Sequence, residues 1–435
     1  MGQGPVYIDN QSIEYISVLS VAPTISIRTT DNYFKKGTST TTLNANLVRA
    51  RVIGTGGQLL NLLSVDAAQE ATLTTGLTPI YSSLLGLLSG GMVNIRYTIP
   101  NPSSFAWKAG EYTNNLNFSL SGIALGSISV KANIINITVD PFLKVSQPQN
   151  VEFTINSLDF YRNRTLDAKT QNLSITGTLN AGIRMKTSTP YFTYSNGYQG
   201  GTDPRAPATV VMSQMMTPTV KPGEFLAGTT LKLITEAKGI EVPVGNTSRV
   251  SMSYSLSKEA LKSNFLKKGT YSLNLNHEIF DAESSGTSSN QALSSTILVN
   301  VEDMGELIIN NQDITLKFET ANDYKNGVYV DIPAHLSLSA TSPYDVFVKA
   351  SSTSLSNGSN SIPVGAMQIS AGSGGSSEFT PLILKDTRQR VLGISPVIDK
   401  KMNIRYSISA SEAVKLIGKA SGAYTTSITY SLIAP

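Results

Sequence analysis

The chain has 435 residues, a formal net charge of +4 and no cysteine. A chain of this length exceeds one ordinary hydrophobic core, so we expect two to four domains. Charged residues make up 15% of the chain, below the roughly 25% of an average globular protein, which favours short hydroxyl-rich strands over charged surface helices. The lack of cysteine excludes disulfides and thiolate metal sites. Basic residues form no dense patch interleaved with aromatics, so we expect no nucleic-acid partner.

The sequence carries no recognisable targeting or membrane-spanning segment. Its most apolar stretches, residues 59–63 and 82–92, are too short to span a bilayer. The first ten residues have neither the basic nor the apolar region of a signal peptide. If the protein is secreted, we therefore expect its signal to have been removed.

The first strand-like segment lies at residues 12–27. Its alternating pattern places Ile13, Tyr15, Leu19 and Val21 on one face. The segment reaches Val21 and passes through an Ala-Pro pair before the next run begins. The segments that separate later parts of the chain likewise reach a valine and pass through an acidic or turn-like pair, Asp140-Pro141 or Glu302-Asp303. The sequence therefore predicts that residues 1–22 form an N-terminal extension.

A pair of strands occurs three times, at intervals of about 150 residues. The first strand of each pair alternates apolar and polar residues around a central tyrosine, Tyr97, Tyr254 or Tyr406. In the second and third copies, the linker to the next strand favours a short helical turn. The second strand has a glycine and, two residues later, a tyrosine. These positions are Gly110 and Tyr112, Gly269 and Tyr271, and Gly422 and Tyr424.

The glycine and tyrosine of the second strand have a physical interpretation. The glycine permits a left-handed or tight entry into the strand. The tyrosine is either an ordinary core aromatic or a tyrosine corner, in which its hydroxyl donates to a loop carbonyl. Further short strand candidates precede each pair, and turn-rich breaks separate them. This pattern predicts an all-β protein of three tandem immunoglobulin-like sandwiches, at residues 23–141, 142–303 and 304–435.

The segments that follow the three tyrosine strands differ. Strand-like runs at residues 126–145 and 293–309 follow the first two copies, and each continues into the next domain. We expect each run to close its own sandwich and the third sandwich to lack such a strand. The N-terminal extension resembles the missing strand.

The pattern of Gly422, Tyr424, Ile428 and Leu432 resembles the closing strand of bacterial chaperone–usher pilins and spore-coat-U-like domains. The resemblance implies donor-strand complementation, in which one subunit supplies a strand that completes the sheet of its neighbour. It implies an acceptor strand with Tyr424, Ile428, Tyr430 and Leu432. The donor strand would contain Ile13, Tyr15, Leu19 and Val21 of another copy.

The resemblance also implies a role and a set of partners. The expected protein is a structural subunit of an extracellular fibre or surface layer at the bacterial cell surface. Its expected partners are other copies in a head-to-tail filament and a periplasmic chaperone or assembly platform. Surface glycans are expected partners if the protein is instead a surface adhesin. One donor and one acceptor per chain would give open filaments rather than closed dimers.

The sequence predicts no enzyme, cofactor or metal site. Only His277 and His335 are histidines, and both lie in strand-like runs, where a hydrogen-bonded sheet residue is the expected role. No phosphate-binding, nucleophile-elbow or zinc motif is present.

An alternative function is a surface adhesin or carbohydrate-binding protein with recognition in a loop. The aromatic loop at residues 190–201 contains Tyr191, Tyr194 and Tyr198, whose rings suit stacking on sugars. The competing interpretation of this loop is a strand end with packed tyrosines.

Overall fold

A computed structural model describes residues 6–15, 20–56, 69–82, 91–124, 133–198, 202–284, 291–375 and 378–435. Within these ranges the chain consists mainly of β-strands in antiparallel sheets, which confirms the predicted all-β fold. Its α-helices are short: α1 (Lys258–Asn264), α2 (Ala321–Asn326) and α3 (Ala410–Ala413). No helix among these residues has the length and hydropathy needed to cross a membrane. Short 3-10 helices lie at Ala45–Leu47, Pro102–Ser104, Leu158–Tyr161, Ala208–Val210, Val244–Asn246, Val364–Ala366 and Val414–Leu416.

Buried apolar side chains form three clusters along the chain, and the strands group around them. We call the three groups of strands units 1, 2 and 3. Each has the layered arrangement of an immunoglobulin-like sandwich, with two sheets facing one core. The domain boundaries predicted at residues 141 and 303 stay predictions.

Unit 1 has one sheet in the order β1-β8-β5-β6 and another in the order β4-β3-β9-β2-β7, with β10 paired to β9. Its strands are β1 (Val6–Tyr15), β2 (Ser20–Thr29), β3 (Tyr33–Lys35), β4 (Thr42–Asn44), β5 (Arg49–Gly56), β6 (Ala71–Thr72), β7 (Thr78–Ser82), β8 (Gly91–Ile99), β9 (Gly110–Ala124) and β10 (Asn133–Val139).

Unit 2 has sheets in the orders β11-β13-β19-β16-β17 and β12-β21-β20-β14-β18, with β15 paired to β20. Its strands are β11 (Leu143–Val145), β12 (Val151–Ile155), β13 (Lys169–Gly177), β14 (Ala181–Thr187), β15 (Thr193–Ser195), β16 (Val211–Thr217), β17 (Glu224–Phe225), β18 (Lys232–Leu233), β19 (Thr247–Leu256), β20 (Gly269–Asp281) and β21 (Gln291–Val301). The β12–β21 pair is parallel.

Unit 3 has sheets in the orders β22-β23-β30-β27-β28 and β29-β24-β31, and a separate β25-β26 hairpin. Its strands are β22 (Gly305–Ile309), β23 (Gly327–Ala340), β24 (Tyr344–Ala350), β25 (Ser354–Asn357), β26 (Asn360–Pro363), β27 (Met367–Ala371), β28 (Leu382–Ile383), β29 (Gln389–Ile394), β30 (Val397–Ser409) and β31 (Ile428–Ile433).

The repeated strand pair has the predicted burial and the predicted turn. The central tyrosines of β8, β19 and β30 (Tyr97, Tyr254 and Tyr406) are buried in the three cores. The glycines that open the next strand have φ angles of 140° to 146°, which strongly favour glycine. Each tyrosine hydroxyl donates to the carbonyl four residues earlier, so the tyrosine-corner interpretation is confirmed. These bonds join Tyr112 to Lys108 at 2.8 Å, Tyr271 to Lys267 at 2.9 Å, and Tyr424 to Ala420 at 2.8 Å.

The N-terminal residues are not an extension in this structure, which corrects that prediction. Strand β1 pairs with β8 of the same chain, so it lies where β13 lies in unit 2 and β23 in unit 3. Strand β2 pairs with β9, as β14 pairs with β20. The prediction failed because alternation identifies a strand without identifying its neighbour. Whether the same residues also serve another copy stays a prediction.

Candidate strand-binding site

The site lies at β31, the last strand of unit 3. In unit 1 the corresponding strand β9 has β2 on one side and β10 on the other. In unit 2 the corresponding strand β20 lies between β14 and β21. The predicted closure of units 1 and 2 by strands of their own chain is thereby confirmed. Among the described residues, β31 pairs with β24 alone.

The unpaired edge of β31 carries identifiable backbone groups. The N–H of Ser351 donates to the carbonyl of Ser427, the residue directly opposite it. Every second opposite pair from there along the β24–β31 ladder also exchanges hydrogen bonds, beginning with Lys349 and Thr429. Because these pairs alternate in an antiparallel ladder, the N–H groups of Ile428, Tyr430 and Leu432 point away from β24. Strand β31 therefore presents donors to any strand placed on its outer side.

The core-facing side chains next to this edge are less buried than their counterparts. Leu275 of β20 is fully buried, whereas Ile428, which lies equally far from its opening glycine, is only partly buried. Tyr271 is likewise fully buried, and Tyr424 is not. The strand that covers these positions in unit 2 is β21. Its counterpart is missing from the described part of unit 3.

The opposite side of the site is formed by residues 311–319, which precede α2. In unit 2 the corresponding strand β12 pairs with β21, and its Phe153 is fully buried. In unit 3 this segment has no strand partner within the described residues. Its alternate residues Ile314, Leu316 and Phe318 are only partly buried against the core. In unit 2, β21 lies between β12 and β20. We call the corresponding open position in unit 3, flanked by residues 311–319 and β31, the groove.

A chain of polar side chains lies beneath the groove. The Tyr430 and Tyr406 hydroxyls are 2.7 Å apart, and the Tyr406 hydroxyl is 2.9 Å from Nε2 of His335. Burial raises the pKa of Tyr406 to about 12 and the pKa of Tyr430 well above its ordinary value. Burial lowers the pKa of His335. All three groups are therefore neutral near pH 7, which suits a hydrogen-bonded chain rather than an ionic site.

The predicted acceptor residues lie together at this edge. Tyr430 is buried, and Ile428 and Leu432 are partly buried in the same strand. Tyr424 precedes the regular strand, since β31 begins only at Ile428 rather than at Tyr424. The alternation of residues 313–318 was a signal for the opposite side of the groove that the sequence interpretation missed.

The predicted donor residues lie elsewhere. Ile13 is paired with Val93 and Tyr15 with Gly91 in the β1–β8 ladder, and Val21 is paired with Ile123 in the β2–β9 ladder. Leu19 lies outside the described residues. The structure therefore gives three of the four residues a place in the sheets of unit 1.

The predicted ligand loop has mostly packed tyrosines. The Tyr194 hydroxyl donates to the Lys268 carbonyl, and its ring lies 5.0 Å from that of Tyr271. Tyr198 is half-buried. Tyr191 is 40% exposed, with the Arg205 guanidinium 4.9 Å from its ring centre. The loop does not present three free rings, and its recognition of glycans stays a prediction.

Acidic residues and histidines do not form a metal site within the described ranges. His277 is buried and hydrogen-bonded to the Ser295 hydroxyl at 3.1 Å, as expected for a sheet histidine. His335 has a partner for Nε2, but Nδ1 has none among the described residues.

Neither a protein-family model nor a curated protein matches the chain. Solved structures with a similar fold include the CooA pilin subunit of enterotoxigenic Escherichia coli, at 16% identity and a TM-score of 0.25, covering 37% of this chain and 99% of that chain. The CsuC–CsuE chaperone–tip adhesion subunit pre-assembly complex, from archaic chaperone-usher Csu pili of Acinetobacter baumannii, has 13% identity and a TM-score of 0.31, covering 67% of this chain and 100% of that chain. The CupB6 tip adhesin of Pseudomonas aeruginosa has 10% identity and a TM-score of 0.29, covering 69% and 93%.

The Gly422 to Leu432 pattern predicted a resemblance to chaperone–usher pilins and spore-coat-U-like domains, and pilin and tip-adhesin subunits are among these similar structures. Identities and TM-scores of this size concern the fold alone. The contacts of this chain therefore carry the proposed function.

Proposed function

We propose that the protein is a subunit of a bacterial surface fibre, of the pilin or adhesin kind, and that unit 3 accepts a β-strand from a neighbouring subunit. The observation that carries the proposal is the single pairing of β31, whose counterparts β9 and β20 each have a strand on both sides. The proposed role is structural and involves no catalysis. It places the protein outside the cell, after export and removal of a signal.

The groove has the properties that strand addition needs. The edge N–H groups of β31 supply the hydrogen bonds, and the partly buried side chains on both sides of the groove supply apolar contact. Burying three or four aliphatic side chains of an added strand contributes about 1.5–3 kcal/mol each before the cost of ordering the strand. A joint of this kind is persistent, which suits a fibre.

The neighbouring subunit in this proposal is another copy of the chain or a second subunit of the same fibre. Strands β1 and β2 already pair within unit 1. If they act as the donor in another copy, they must first leave these sheets. A chaperone that covers the edge of β31 before assembly would serve the same groove.

The proposal is tested by giving unit 3 its own strand. A chain extended after Pro435 by a flexible linker and a copy of residues 291–301 should fill the groove, because β21 fills the same position in unit 2. We expect a higher unfolding temperature for unit 3 and less self-association than in the unextended chain, measured by calorimetry and analytical ultracentrifugation.

The matched control is the same extension with Ile297→Asp and Val299→Asp, which removes the apolar contacts and keeps the length. We expect this control to behave like the unextended chain. Equal stability and equal association of all three proteins would refute the proposal.

A further inference from the structure

The strands that complete units 1 and 2 share a pattern of residues. Position by position along the ladder, Asn133 of β10 is opposite Leu116, and Ser295 of β21 is opposite Leu275. Both Leu116 and Leu275 lie six residues after the opening glycine. After this polar residue, Asn133 or Ser295, every second residue of the strand is aliphatic. These residues are Ile135, Ile137 and Val139 in β10, and Ile297, Val299 and Val301 in β21.

In unit 2 the polar member of this pattern has a structural role. Ser295 is 4% exposed, and its hydroxyl lies 2.9 Å from Nε2 of Gln171 and 3.1 Å from Nε2 of His277. Oε1 of Gln171 accepts a hydrogen bond from the Tyr254 hydroxyl at 3.2 Å. The serine thus connects β21 to polar groups from both sheets.

Unit 3 contains the corresponding polar groups without the serine. Tyr406 is the central tyrosine of β30, as Tyr254 is of β19. Tyr430 is at the same distance along the chain from Gly422 as His277 is from Gly269. His335 lies in β23, the counterpart of the strand that carries Gln171, and its Nε2 is hydrogen-bonded to the Tyr406 hydroxyl at 2.9 Å.

The two networks differ in the partner of one buried nitrogen. The amide nitrogen of Gln171 bonds to Ser295. Nδ1 of His335 is buried, in a side chain that is 1% exposed, and it has no partner in the described part of the chain. A buried polar atom without a hydrogen-bond partner lowers the stability of the fold, so a partner for it is expected. The His335 ring lies 5.9 Å from the ring of Tyr430, on the strand beside the groove.

We propose that the strand accepted by unit 3 carries a hydroxyl or amide side chain opposite Ile428, which bonds to Nδ1 of His335. Aliphatic residues follow it at alternate positions, opposite Thr426, Tyr424 and Gly422. A hydroxyl both donates and accepts, so it suits either neutral tautomer of the histidine. The partner is therefore a β-strand of polar-x-aliphatic-x-aliphatic-x-aliphatic pattern, which refines and rests on the proposed function.

The test measures the binding of three peptides to the full chain by calorimetry. The first copies residues 291–301, the second carries Ser295→Ala, and the third carries Ser294→Ala as a matched control on the outward face. Loss of one buried hydrogen bond predicts binding that is weaker by about 2- to 12-fold for Ser295→Ala. The Ser294→Ala peptide should bind like the first.

The role of His335 is tested on the protein side. In a His335→Phe chain, the difference between the first two peptides should disappear. As a second measurement on the unaltered chain, the first peptide should shift the NMR resonances of the His335 ring more than the Ser295→Ala peptide does. Equal affinities for the first two peptides would overturn the inference and leave the proposed function standing. Failure of all three peptides to bind would contradict the proposed function itself.

Discussion

At the scale of single residues, units 2 and 3 carry different polar groups in one geometry. Tyr254 in unit 2 and Tyr406 in unit 3 occupy the same place, yet one hydroxyl meets an amide and the other a histidine. Sequence alone predicted that both histidines are sheet residues, and it gave the tyrosine corner as one of two interpretations of the repeated tyrosines. It could not predict the partners, because Gln171 and His335 approach these tyrosines from strands that are distant in sequence.

His277 makes the stability of unit 2 depend on pH. Burial lowers its pKa to about 4, whereas an unfolded histidine has a pKa of about 6.5. Between these values the unfolded chain binds a proton that the native chain does not, so stability is complete above about pH 6.5 and falls as the pH is lowered. From pH 7 to pH 4.5 the expected loss is about 2–3 kcal/mol.

This loss is measured by chemical denaturation at the two pH values. The matched variant His277→Gln removes the titrating group and keeps a polar side chain of similar length. We expect its stability to fall by about 2–3 kcal/mol less over the same range. Equal losses in the two proteins would show that His277 does not titrate as described.

At the scale of elements, the sequence predicted strands better than it predicted their neighbours. Alternation located the strands at residues 93–99, 250–256 and 402–408, since each has one face in a core. It also predicted a strand-like run at residues 12–27, which overlaps the end of β1 and most of β2, but it did not predict their pairing with β8 and β9. A strand that pairs within its unit has the same alternation as one that leaves it. Pairing is decided by tertiary contacts that a single sequence does not show.

Deleting strand β1 distinguishes its pairing with β8 in unit 1 from a role as the donor strand in another copy. Deleting residues 6–15 removes the ten-residue neighbour of β8. We expect faster amide exchange in β8 and a lower unfolding temperature for unit 1, with exchange in β31 unchanged. If the deletion instead left β8 protected and abolished self-association, the segment would act as the donor in another copy.

At the scale of the whole molecule, the two junctions between units repeat the same contacts. The hydroxyl of Thr178 donates to the Asp140 carbonyl at 2.7 Å, and that of Thr341 donates to the Glu302 carbonyl at 2.7 Å. The carbonyls of the same threonines accept from the N–H groups of Ala109 and Lys268, each at 2.8 Å. The N–H donors Ala109 and Lys268 directly precede Gly110 and Gly269, the glycines that open the tyrosine strands of units 1 and 2. The two junctions are therefore equivalent.

Within the described residues, the tyrosine strands β9 and β20 of units 1 and 2 have a strand on both sides, and β31 of unit 3 has an open edge. This difference is the central feature of the molecule. The strands beside β9 and β20 could be expected from the sequence, because strand-like runs at residues 126–145 and 293–309 follow these two strands. The shape of the groove could not, since its second side comes from residues 311–319, more than a hundred residues before β31.

The most direct test of the open edge is amide hydrogen exchange at β31, resolved by residue with NMR. In the chain as it stands, Thr429, Ser431 and Ile433 should be protected by β24, and Ile428, Tyr430 and Leu432 should exchange quickly. In the chain extended with a copy of residues 291–301, the second set should become protected as well. Protection of Ile428, Tyr430 and Leu432 before the extension, or no change after it, would contradict the account.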